Sequence, residues 1–195
     1  MPRVSQEQAK LNRQRVVEVA ATLFRERGLH GVGVADIMGA AGLTHGGFYG
    51  QFANKDALAA EAFETALTDN GRGQLDSLVS NYLSIAHVRA PGMGCPVAAL
   101  ANDVAREAPD SPVRSRFTRG VRGMVDLMAA LVPKTPKQKR RQRALSSLAT
   151  LVGAVVLARA VDDEALAEEI LGAARVSLGA EAPERDTAAG PSKRR

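Results

Sequence analysis

The chain predicts an all-α fold, and three observations carry that prediction. Ala, Leu, Val and charged residues dominate a sequence of 195 residues that is 45% hydrophobic and 24% charged. No long run alternates apolar and polar residues with the period of a strand. Apolar residues recur instead at helical spacing, in segments bounded by the Gly, Pro, Ser, Thr and Asp residues that start and stop helices. The length suits one compact domain or two small ones sharing a boundary.

Residues 1–10 read as an arm carrying Arg3 and Lys10. The first helix is expected from about Leu11 to Arg27, burying Val16, Ala20, Leu23 and Phe24 and stopped by Gly28. Arg13, Arg15 and Arg25 lie off that face, either solvated or, near the helix start, within reach of a phosphate. His30 is a loop residue. A second helix follows, with Gly33 as a weak cap, Asp36 in its first turn where its charge meets the helix dipole, and Ile37, Met38 and Ala41 as its apolar face. Gly42 stands where a left-handed helix end needs a residue without Cβ. Thr44 is placed to cap a third, short helix with its hydroxyl. Phe48 and Phe52 bury one side of that helix, which leaves His45, Gly46, Gly47, Tyr49 and Gln51 for the other faces. A short helix, polar outside and pinned by two phenylalanines, suits a recognition helix in a DNA major groove.

The stretch IM–AAG–LTHGGFYGQF–ANKDAL, set behind the helix that ends at Gly28, resembles the N-terminal domain of the TetR/AcrR-type regulators over roughly Lys10 to Asn70. The resemblance implies an N-terminal three-helix helix-turn-helix domain, a six-helix C-terminal ligand-binding and dimerisation domain, and a homodimer whose last two helices pair across a two-fold. It implies DNA contacts by Thr44, His45, Gly46, Gly47, Tyr49, Gln51 and Lys55. Physically, Thr44 and Tyr49 can offer hydroxyls to phosphate, His45 can donate to a base edge, and Gly46 and Gly47 permit close approach to the duplex. Free N–H groups at a helix start also favour phosphate. Gly50 and Gln51 depart from the commoner pattern. Gln51 can pair with adenine, and the three glycines from 46 to 50 cost the helix about 1 kcal/mol each against Ala.

On this reading the DNA-binding domain is 10–70, with its motif at about 33–52, the effector and dimerisation domain is 71–178, and 179–195 is a disordered tail. Lys55 to Thr68 forms a linking helix capped by Asn54. An amphipathic helix is expected over 74–87, a turn at Pro91–Gly94, and a helix opened by Pro96. Two more open at Ser111–Pro112 and Thr135–Pro136, and Asp162–Asp163 caps the last, which is expected to bury Leu166, Ile170, Leu171 and Ala174. That makes about nine helices. The one at 145–158 is apolar over much of its circumference, beyond what one monomer's core can cover, which by itself favours a dimer.

A formal charge of +5 fits a polyanionic partner, although residues 1–55 carry only seven Lys or Arg against four Asp or Glu. The basic run Lys134, Lys137, Lys139, Arg140, Arg141 and Arg143 is a solvated face or a contact for DNA or an acidic partner. One cysteine excludes an internal disulfide and fits a reducing compartment. The polar N-terminus is no signal peptide, and no apolar stretch is long enough to span a membrane. A cytoplasmic location follows. There is no HExxH, CxxC, GxSxG or Gly-rich phosphate loop, and no ligand set for a metal; neither catalysis nor a cofactor is expected.

Cys95 is either an inert core thiol or a redox or electrophile sensor at a helix start, where a thiol gains thiolate character. The function expected is a sequence-specific regulator, a repressor released from a palindromic operator by a small-molecule or electrophile effector. The alternatives are a thiol sensor acting through Cys95 without a pocket, and an all-α enzyme or carrier with a vestigial helix-turn-helix.

Overall fold

The computed structural model describes residues 6–69, 75–131 and 136–179. Among them every regular element is helical: α1 (Gln6–Arg27), α2 (Val34–Ala40), α3 (Lys55–Asp69), α4 (Leu75–Tyr82), α5 (Ile85–Arg89), α6 (Pro96–Arg106), α7 (Pro112–Leu131), α8 (Lys137–Ala160) and α9 (Glu164–Ser177), with single 3-10 turns at His45–Gly47 and Pro91–Met93. Arg3, Lys134, Thr135 and the tail from 180 onward lie outside the described residues.

α1 begins five residues earlier than expected, because Gln6, Glu7, Gln8, Ala9 and Lys10 are all good helix formers. Its buried face of Val16, Val17, Ala20, Ala21 and Phe24 meets Ile37 and Met38 of α2 and Leu58 and Phe63 of α3 in one core. Gly28 and Gly42 close α1 and α2 with φ of +76° and +72°. At Gly42 the Leu43 N–H reaches back to the Met38 carbonyl at 2.9 Å, the bond that closes a Schellman end. Asn54 caps α3 through its Oδ1, which accepts from the Ala57 N–H at 2.8 Å.

The expected helix over 74–87 is two helices. Ser84 interrupts it by accepting the His87 N–H on its hydroxyl at 3.2 Å, which starts α5 afresh. The carbonyls freed by the break are taken up by side chains: the His87 ring bonds the Tyr82 carbonyl at 2.6 Å, and Arg175 of α9 donates to the Leu83 carbonyl. At the far end of α5, Arg159 of α8 donates to the carbonyls of His87 (3.0 Å) and Val88 (3.3 Å).

α3 and α7 form the main seam between the two halves, with the Phe63 and Phe117 rings 5.2 Å apart and Arg116 paired to Glu64. In α8 the buried residues are Ala144, Leu148, Leu151, Ala154, Val155 and Ala158, while Leu145 and Leu157 stay exposed. α9 buries Ala167, Leu171 and Ala174, and Leu166, expected inside, is exposed. One stretch of α8 is also long and apolar enough to cross a bilayer by composition, against expectation. Its Leu151, Ala154 and Val155 nevertheless belong to the protein core.

Candidate functional site

The segment after α2 leaves Gly42 extended at Thr44 and then makes a single 3-10 turn, where a helix was expected. Gly47 N–H bonds to Thr44 O, Phe48 N–H to His45 O and Gln51 N–H to Phe48 O, all i to i−3, and only Phe52 N–H to Phe48 O has α-helical spacing. Gly46, Gly47 and Gly50 account for this, since each lowers the helix's intrinsic stability while the two phenylalanines fix only one side. Thr44 makes no capping bond, a second departure from expectation.

Phe48 and Phe52 are buried with ring centroids 5.5 Å apart, so the segment is seated on the core as the sequence implies. Tyr49 is 68% exposed and its ring lies 6.0 Å from the exposed His45 imidazole. Together they form a paired outward surface flanked by the exposed Thr44 and Gly46. Gln51 does not share it. Its Oε1 is buried without a hydrogen-bond partner, contrary to the expectation of an outward base-reading side chain. Lys55 is half-buried, with Nζ 5.9 Å from the Phe24 ring centroid.

The arginines of α1 divide. Arg13 lies 4.7 Å over the Phe52 ring and pairs with Glu61 of α3, Nη2 to Oε2 at 2.8 Å, so it braces the domain and is not free for phosphate. Arg25 donates from Nε to the Gly92 carbonyl at 2.7 Å. Here α1 leans on the Pro91–Met93 turn so closely that a Cβ on Gly92 would fall 2.5 Å from Glu26 Oε1. His30 bridges to Glu107 at 2.9 Å and supplies another link between the halves.

The other face of that turn borders a cavity of about 510 Å³. Leu67 of α3, Val79 of α4, Met124, Leu127 and Met128 of α7 and Leu151 of α8 line it, together with Tyr82, His87, Met93 and Cys95. The wall therefore includes part of the helix leading from residues 44–52 and part of the turn that holds α1.

Cys95 is 7% exposed and caps α6, with Pro96 in the first helical position. Its backbone N–H, not its thiol, meets His87, donating to Nε2 at 3.0 Å. With Nδ1 engaged by the Tyr82 carbonyl, both ring nitrogens are occupied and the imidazole is no general base for the thiol. Burial holds His87 below the ordinary histidine range; the Tyr82 carbonyl opposes this and Arg159 adds to it. Sequence reasoning missed Arg159 and Arg175, whose targets lie 72 and 92 residues away along the chain. Among the described residues no group of His, Cys, Asp and Glu is placed to hold a metal.

Residues 16–62 match the family model of bacterial regulatory proteins, tetR family. An uncharacterized HTH-type transcriptional regulator of Mycobacterium tuberculosis is 30% identical over 191 residues, covering 89% of this chain and 97% of that protein. The chain belongs to the TetR family. Further relatives match a shorter stretch of this chain. The HTH-type transcriptional repressor KstR2 of Rhodococcus jostii is 38% identical over 73 residues, which is 37% of this chain and 32% of that one. Among solved structures, a TetR regulator from Chloroflexus aurantiacus superposes with a TM-score of 0.65 at 25% identity, covering 89% of this chain and 97% of its own. The reduced form of NemR from Escherichia coli shares the fold with a TM-score of 0.66 at 20% identity, covering 86% and 94%. This TetR-family chain is thus a DNA-binding transcriptional regulator and not an enzyme.

Proposed function

We propose that this regulator represses transcription as a cytoplasmic homodimer, setting residues 44–51 of each subunit into successive major grooves of a near-palindromic operator. The half-sites would lie about one helical turn, ~10 bp, or slightly more apart. The exposed His45–Tyr49 pair on its phenylalanine-anchored turn carries this reading. His45 contacts a base edge, Tyr49 and Thr44 give hydroxyls to phosphate, Gly46 and Gly47 let the backbone approach, and Lys55 reaches a phosphate from the start of α3. Gln51 joins them only if its buried amide turns outward. The unit of DNA binding is 10–70, and that of dimerisation and effector binding is 71–178.

Two observations support the rest. Leu145, Leu157, Leu166 and Val176 expose apolar side chains on α8 and α9, and beyond the helix's own adjoining backbone no atom stands within 4 Å of where a Cβ on Gly153 would be, so a second copy has both apolar surface and room to pack on. The cavity shares walls with α3 and with the turn that holds α1, so an occupant preferring a different arrangement of those walls shifts the spacing of the two DNA-binding segments. It releases DNA only in proportion to that preference. A second reading, in which the Cys95 thiol is itself the sensor, is favoured by its place on the cavity wall.

Selection of binding sites from random duplexes, followed by gel shift at low salt, tests the reading. A palindromic site should emerge, and His45→Ala and Tyr49→Phe should each weaken binding about tenfold. His45→Ala should also relax the preference at one position per half-site. Failure to shift any duplex at low salt would sink the proposal. Release by a thiol-reactive compound that survives Cys95→Ser would reject the thiol reading alone.

A further inference from the structure

The cavity wall restricts the chemistry of its occupant more than the fold does. None of its lining side chains is charged, and three of the chain's five methionines, Met93, Met124 and Met128, face it. Methionine packs adaptably against flat rings and makes favourable sulfur–aromatic contacts. The polar groups of the wall are largely spent on the protein. Ser84 bonds the Asn81 carbonyl at 2.7 Å and the His87 N–H, while His87 is occupied at both nitrogens.

Asn81 is exposed, and Tyr82 is the exception among the buried ones. Its ring stands edge-on to His87 with centroids 4.6 Å apart, and its buried hydroxyl makes no hydrogen bond to nitrogen or oxygen, with the Cys95 thiol beside it. A thiol sulfur is a weak acceptor, so an acceptor oxygen brought in by a ligand would satisfy the buried hydroxyl better.

We propose that the cavity takes an uncharged, largely apolar ring compound bearing one hydrogen-bond-accepting oxygen, a ketone or ester carbonyl, which the Tyr82 hydroxyl holds. This deepens the effector reading and rests on it only for the consequence at DNA. Arg159 sits behind this end of the cavity with Nη1 buried and unpartnered, and so raises the question of an anionic ligand. The guanidinium is not among the lining groups, however, and its Nη2 is screened by Gly94 and His87, to whose carbonyl it donates. A carboxylate in the cavity would lose its water without gaining an ion pair, and a cation would meet the field of Arg159 with no carboxylate in the wall.

Four tricyclic probes of matched shape test this by calorimetry on the full chain: fluorene, fluorenone, fluorene carboxylate and aminofluorene as its ammonium ion. Fluorenone should bind about fivefold more tightly than fluorene, the worth of one neutral hydrogen bond, and neither charged probe should bind. Tyr82→Phe should bring fluorenone down to the fluorene level and leave fluorene unchanged, whereas a packing defect would weaken both. Met124→Trp, which fills the cavity, should abolish fluorenone binding. The proposal is overturned if the carboxylate or the ammonium binds as well as the ketone, if Tyr82→Phe keeps the ketone preference, or if no probe binds. The wild-type ketone preference tests it even where a variant does not fold. Binding of fluorenone without release of the selected operator would keep the ligand class and reject the effector role instead.

Discussion

His87 joins three elements, two of them through its ring. Its Nδ1 closes the end of α4, its Nε2 holds the start of α6 through the Cys95 N–H, and its backbone carbonyl receives Arg159 from α8. The ring must stay neutral to accept at Nε2, and the Tyr82 ring and the Arg159 guanidinium face it, with the Cys95 thiol beyond them against both. Burial depresses its pKa below the ordinary 6.5, and a depressed histidine contributes stability that is fully present above 6.5 and lost as pH falls through the folded value. The thermal midpoint should therefore drop between about pH 7 and pH 5 more steeply in the wild type than in His87→Asn. Parallel pH profiles for the two proteins in scanning calorimetry would show that the ring titrates alike folded and unfolded.

The segment from Thr44 to Phe52 is an element poised short of a helix. The 3-10 bonds at Gly47, Phe48 and Gln51 and the α-type bond at Phe52 leave it one rearrangement away from a continuous turn of α-helix. No neighbour blocks a side chain at Gly50, where a Cβ would meet only the Gly47 carbonyl at an ordinary 3.9 Å. If the duplex is contacted by the helical form, Gly50→Ala should tighten operator binding by up to about fivefold, the equivalent of the ~1 kcal/mol that Gly costs a helix relative to Ala. Circular dichroism of the free variant should rise slightly at the same time. Weakened affinity with raised helicity would mean that the 3-10 form is the one that binds. The linkage from this element to the cavity runs through α3 at Leu67 and through α1 at Arg25 and Gly92, two contacts of different character, one apolar packing and the other including a charge-assisted hydrogen bond.

At the scale of the whole molecule, the exposed apolar residues of α8 and α9 are the feature a monomer leaves unexplained. Leu157 is 56% exposed and Val176 71%, on helices that otherwise build the core. Because Leu157 makes little of the monomer's core, Leu157→Arg should leave the thermal unfolding of each subunit close to that of the wild type yet convert a dimer into monomers in analytical ultracentrifugation. Operator affinity should fall with it, since two half-sites are then bound independently. A variant that remains dimeric would place the interface elsewhere. The basic start of α8 has a more ordinary role in the subunit, with Arg141 paired to Asp126 at 3.1 Å and Lys137, Lys139 and Arg143 in solvent.

What the sequence determined by itself was local. Helix stops at Gly28 and Gly42, caps at Asn54, Asp163 and Ser111, Pro96 at the opening of α6, and the seating of Phe48 and Phe52 all follow from interactions within about one helical turn of chain, which spacing alone reveals. The all-α class and the place of the helix-turn-helix segment followed from these. Tertiary structure decided the rest. Ser84 divides a helix that periodicity made continuous, and the break persists because His87, together with Arg175 from far along the chain, satisfies the carbonyls it frees. Arg13 looked available for phosphate until Glu61 and Phe52 were folded against it. The burial of the Tyr82 hydroxyl away from any nitrogen or oxygen partner is likewise invisible in sequence, where tyrosine at a core spacing is only a core residue. A buried polar group is defined by what does not surround it, and that is set by the packing of distant elements rather than by its neighbours along the chain.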